Sequence, residues 1–152
     1  MQRRRGQPWV LPERLKELAE FRYRLRRFLS FSEAAAEAEG ISAQQYQLLQ
    51  VIASVPESEA GSISYIAGRM LLRHNSAVEL VDRAERSGLV RRVPDEQDLR
   101  RSLVELTTRG AELLERLVEM HLAEIVKEGP GLFEALNALM EGEPASLGSK
   151  NR

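Results

Sequence analysis

Apolar positions keep helical spacing along most of the chain and give way to strand-like spacing once. Between residues 12 and 39, Leu15, Leu18, Phe21, Leu25, Phe28, Leu29, Ala35 and Ala36 recur on one face, and Arg14, Arg22, Arg26 and Glu33 take the other. Steps of three and four residues predict an amphipathic helix. Pro12 suits its first turn, and Gly40 supplies a stop. A helix of about 27 residues is roughly 40 Å long, more than a domain of this size uses for its own core. Part of its apolar face is therefore expected to lie against a second chain.

Ser42 and Gln45 stand at capping-box spacing and open a helix that buries Tyr46, Leu49 and Ile52 and ends near Pro56. After the polar loop 57–61, Ser62 caps a short helix from Ile63 to about Met70. A further helix over residues 73–87 keeps Ala77, Leu80, Val81 and Ala84 on one face and stops at Gly88. There the period changes. Residues 89–93 and 102–106 are short β-branched runs around the charged segment 94–101, which predicts a projecting hairpin. Thr107 or Thr108 then caps a long helix to about Glu128, with Leu113, Leu114, Leu117, Val118, His121 and Ile125 in its stripe. Gly129-Pro130-Gly131 is expected to break that helix, a last helix covers residues 132–141, and residues 142–152 form a disordered tail. The expected fold is mainly α with a small β-hairpin wing. It is a winged helix-turn-helix with terminal helices whose apolar faces need cover.

Composition removes many chemistries. With 43% hydrophobic and 30% charged residues the chain is of ordinary globular type. No apolar run approaches the roughly 20 residues that cross a bilayer, so no membrane association is expected. Arg3, Arg4 and Arg5 are not followed by the apolar stretch of a secretory signal, and a cytoplasmic location is expected. There is no cysteine, which excludes disulfides, thiolate nucleophiles and thiolate metal sites. His74 and His121 are too few for an imidazole cluster, so neither a metal nor another cofactor is expected. Without a phosphate loop or a nucleophile elbow, enzymatic activity is not expected either.

The net charge is −1, but residues 62–110 carry nine basic and seven acidic side chains, whereas residues 111–152 carry four and eight. Nineteen of the 22 basic residues are arginine, whose planar fork suits phosphate and guanine edges, although codon bias explains the same preference. The mild excess in the middle segment leaves open a winged protein-interaction module without specific DNA binding.

Three segments together carry a family resemblance: Ile66-Ala67-Gly68-Arg69-Met70 with the run from Arg73 to Arg83; Ser87-Gly88-Leu89-Val90-Arg91-Arg92; and Asp95-Glu96-Gln97-Asp98-Leu99-Arg100-Arg101 with the run from Val104 to Gly110. Over residues 12–140 the chain resembles the MarR family of bacterial transcription regulators. The resemblance implies a basic arm (1–11), one domain (12–141) with dimerisation helices (12–40 and 110–141) around a winged lobe (42–109), and a tail (142–152). It also implies a homodimer on a pseudo-palindromic site in double-stranded DNA, acting as a repressor released by a small aromatic or anionic effector.

In helix-turn-helix proteins the first residues of the second helix reach base edges. Arg73 suits guanine, Asn75 adenine, and Ser76 a base or phosphate, with His74 beside them. Asn75 and Ser76 equally suit the first turn of any helix. The resemblance places Arg100 in the minor groove, oriented by Asp98, while Arg101, Arg91 and Arg92 are phosphate contacts or solvated strand residues. His121 is expected in the core rather than as a ligand, and Gly68 suggests a close approach between helices. Phe21, Arg22, Leu25, Tyr46 and Leu49 are better explained by packing than by an effector pocket.

Overall fold

The computed structural model describes residues 14–141; the basic arm and the tail expected from the sequence lie outside the described residues. The element order is α1 (Arg14–Ala38), α2 (Ala43–Ala53), α3 (Ile63–Met70), α4 (His74–Arg86), β1 (Val90–Pro94), β2 (Ser102–Leu106) and α5 (Thr108–Glu141). The chain divides into two compact units, residues 30–123 and the terminal stretches 14–29 with 124–141. Both divisions fall inside a helix, α1 and α5 respectively.

Backbone chemistry sets the ends of the elements. α1 closes where Gly40 turns to φ +81° and the amides of Gly40 and Ile41 reach back to Glu37 and Ala36. Paired bonds of this kind around a left-handed residue satisfy the last helical carbonyls. α4 ends the same way at Gly88, φ +73°, with Leu89 donating to Ala84. α2 begins on a reciprocal capping box: the Gln45 amide donates to Ser42 Oγ at 3.1 Å, and the Ser42 amide donates to Gln45 Oε1 at 3.0 Å. Ser62 Oγ caps α3 through the Tyr65 amide. Thr107 caps α5, accepting from the Gly110 amide at 3.1 Å while its hydroxyl donates to the Gly88 carbonyl.

Within residues 30–123 the core joins Ala35 and Ala36 of α1, Tyr46, Leu48, Leu49 and Ile52 of α2, Ile66 of α3, Leu80, Val81 and Ala84 of α4, Val90 and Val104 of the hairpin, and Leu113 and Leu117 of α5. β1 and β2 pair antiparallel, from Val90 against Leu106 at the base to Pro94 against Ser102 near the tip. The Val104 amide also donates to the Gly61 carbonyl at 2.8 Å, and Ser62 bridges Leu103. The loop before α3 is thereby fastened to the outer edge of β2.

In the terminal unit, residues 14–29 and 124–141 are linked by ion pairs to Glu128 from Arg27 at 3.0 Å and from Arg24 at 4.0 Å, and by the Arg14 guanidinium donating to the Leu139 carbonyl. Two expectations need correction here and in α3. α5 does not break at residues 129–131 but runs through Pro130 to Glu141. Proline removes one hydrogen bond from a ladder of 34 residues, and Gly131 is spent on packing: a Cβ there would stand 2.8 Å from the Arg24 guanidinium. Gly68 is exposed, and a Cβ there would meet nothing within 4 Å, so no close helix approach explains it.

Candidate nucleic-acid interface

The turn between α3 and α4 is built on Leu71, a leucine at φ +56° whose side chain is 93% exposed. Its left-handed backbone lets the Leu72 amide return to the Ala67 carbonyl at 2.9 Å, which ends α3 and releases the chain towards α4. Arg73 is the N-cap of α4, in extended conformation, and its side chain makes no capping bond. Arg73, His74, Asn75 and Ser76 are all exposed, while Ala77, Leu80, Val81 and Ala84 anchor the opposite face in the core. The packing face of α4 thus turns its first-turn polar residues outward.

Two Asx turns and one ion pair shape the hairpin tip. Asp95 Oδ1 accepts from the Gln97 amide at 2.9 Å, and Asp98 Oδ1 accepts from the Arg100 amide at 3.0 Å. Asp95 Oδ2 takes a 2.6 Å bond from Arg101 Nε. That bond, chiefly, and the Gln97 amide hold the Asp95 carboxyl below the usual carboxylate range, against the opposing effect of burial. Asp98 therefore orients Arg100 through the backbone rather than through the guanidinium. Leu99, between them, is 83% exposed.

A cleft of about 360 Å³ lies between α3, α4 and the hairpin, lined by Ser62, Ile63, Ser64, His74, Val78, Arg92, Arg100, Arg101 and Ser102. Of the candidate DNA contacts singled out from sequence, it brings together His74, Arg92, Arg100 and Arg101; Arg73, Asn75, Ser76 and Arg91 do not line it. Sequence patterns gave no sign of Ser64, Val78 or Ser102, because their placement depends on how the wing folds back on α3. Nor did they reveal that Arg92 is engaged by Asp82 and Glu85 of α4. The positive side chains and hydroxyls lining the cleft suit a phosphate-bearing partner.

His121 sits in the core at 8% exposure. One ring nitrogen lies 2.6 Å from the Leu117 carbonyl and donates to it, and the other lies 2.8 Å from Ser32 Oγ. Phe31 and Tyr46 pack against the ring, and burial pushes the Tyr46 phenol up despite its bond with Gln50. Among the described residues no group of three or more His, Asp or Glu side chains is placed to hold a metal, and no helix is long and apolar enough to cross a membrane.

Comparison with known proteins agrees with this geometry. Residues 39–101 match the model of the MarR family. The chain is similar to the transcriptional activatory protein BadR of Rhodopseudomonas palustris, with 33% identity over 99 residues, covering 65% of this chain and 57% of BadR. It is also similar to the HTH-type transcriptional regulator PecS of Dickeya dadantii, with 30% identity over 82 residues, covering 54% and 49%. The chain thus spans about half the length of these two relatives, which are transcription regulators by name. Among solved structures, AbsC, a MarR family transcriptional regulator from Streptomyces coelicolor, superposes with a TM-score of 0.68 at 20% identity, covering 80% of this chain and 82% of AbsC. The S. aureus MepR–DNA complex superposes with a TM-score of 0.58 at 22% identity, covering 81% and 93%.

Proposed function

We propose that the chain is a MarR-type regulator of transcription that binds a specific DNA sequence as a homodimer; the match of residues 39–101 to that family's model supports this reading. One observation carries this function: His74 of α4 and Arg100 and Arg101 of the wing line one cleft, beside an exposed first turn of α4. In this arrangement Arg73, His74, Asn75 and Ser76 enter the major groove and Arg100 enters the adjacent minor groove, where a narrow groove strengthens the attraction for a guanidinium. Arg101 is tied to Asp95 and contributes to the field at the backbone while bracing the tip.

Dimerisation through the terminal helices is supported by the exposed apolar side chains of that unit, among them Leu18, Leu29, Val126, Phe133 and Met140. A two-fold dimer sets its recognition helices one turn of DNA apart, about 34 Å, and so selects a pseudo-palindromic site. A regulator that acts on chromosomal DNA works in the cytoplasm, and that location is part of the proposal. Repression relieved by a small aromatic or anionic effector is the mode of regulation we propose; the name of BadR favours activation as a second mode. The runner-up, an interaction module without specific DNA binding, fails if the protein discriminates a specific duplex.

The test is Arg100→Ala. Mobility shift on DNA flanking the protein's own coding region is expected to weaken by about tenfold or more, with the dimer intact in sedimentation. Unchanged affinity would remove the wing from the interface.

A further inference from the structure

A ribbon of two short strands is marginal in water and takes its position from what borders it. One edge of the hairpin is fastened to Gly61 and Ser62. The other is fastened to α4 itself. The backbone amide of Arg92 donates to Glu85 Oε2 at 3.0 Å, and its guanidinium turns back to reach Glu85 Oε1 at 3.0 Å and Asp82 Oδ1 at 2.7 Å. Asp82 and Glu85 stand three residues apart and so share a helix face, where one planar fork takes both; a lysine would offer only a point charge. The Arg92 side chain is 27% exposed, against 65% for Arg91, whose pairing with Glu105 is an ordinary surface contact.

We infer that Arg92 is a positioning residue for DNA recognition rather than the phosphate contact its sequence suggests. It locks β1 to α4, so that the first turn of α4 and the wing tip present Asn75 and Arg100 at one fixed separation. It also neutralises two carboxylates of the recognition helix that repel a phosphate backbone. This role rests on the DNA-binding function proposed above.

The two roles of Arg92 differ in their salt dependence. Removing a phosphate contact lowers the slope of log K against log salt by about one, whereas removing a strut weakens binding and leaves the slope alone. The experiment titrates the full chain onto the flanking duplex and onto a shuffled duplex across a range of salt. It uses wild type, Arg92→Ala and the double variant Asp82→Asn/Glu85→Gln, with amide exchange followed on each free protein. Arg92→Ala is expected to lose about fivefold or more in affinity with an unchanged slope. The double variant is expected to lose affinity too, although it removes two negative charges, and amides over residues 90–106 exchange faster in both. A slope reduced by about one in Arg92→Ala overturns the inference, as does a double variant that binds as tightly as wild type. The same holds for unchanged amide exchange. Wild type that binds both duplexes alike is a different outcome: it removes the DNA-binding function itself, and this role with it.

Discussion

Gly110 has no room for a methyl group. A Cβ at this position would lie 2.0 Å from the Leu89 carbonyl oxygen, where the first turn of α5 crosses the chain leaving α4. The obstacle is backbone, which cannot swing aside. Gly110→Ala is expected to destabilise the winged unit by more than about 2 kcal/mol, measured by urea unfolding. Asp95 gives a residue-scale prediction in pH. Its folded pKa lies below the unfolded value, so its contribution is present above the usual carboxylate range and is lost as pH falls through the depressed folded value. Amides of Gln97 and Arg101 are expected to lose exchange protection on acidification, and Asp95→Asn is expected to remove that dependence. At this scale the sequence was only partly legible. Ser42, Ser62 and the two stop glycines announce their roles by local rules, since each acts within four residues. Leu71 announces nothing, because a leucine in left-handed conformation costs roughly 1–2 kcal/mol and is imposed by the packing of α3 against α4. The pairing of Arg101 with Asp95 depends likewise on a turn geometry that spacing alone does not fix.

Elements were the most readable level. Helices α1, α3 and α4 and both strands lie within a residue or two of where periodicity and capping place them, because each has an apolar face to bury in register, whereas α2 ends at Ala53, three residues short of Pro56. The capping box of α2 can be tested directly: Ser42→Ala is expected to cost about 1 kcal/mol in thermal or urea unfolding, and Ser42→Gly less. α5 is where local rules failed. Gly129-Pro130-Gly131 carries every sign of a break, yet the helix continues, since a single missing bond is outweighed by the bonds on either side and Gly131 makes space for Arg24. The Arg92 clamp was invisible for a related reason: Asp82 and Glu85 look like a solvated helix face until β1 folds beside it.

For the whole molecule, function follows from what each compact unit leaves outward. The winged unit buries the inner faces of α2 and α4 and presents the first turn of α4 together with a hairpin whose tip is braced by Asp95 and Asp98. The terminal unit leaves apolar side chains exposed on both of its stretches, as a chain that pairs with a second copy does. Charge totals gave little guidance, because a net charge of −1 hides a local arrangement of arginines. The most direct measurement is an equilibrium titration of the protein with the duplex flanking its coding region, beside a shuffled duplex of the same composition, from about 50 to 200 mM salt. The account predicts one dimer per duplex, a preference for the flanking sequence of at least about a thousandfold, and affinity that falls steeply with salt. Equal affinity for the two duplexes, or binding by a lone protomer, would contradict it.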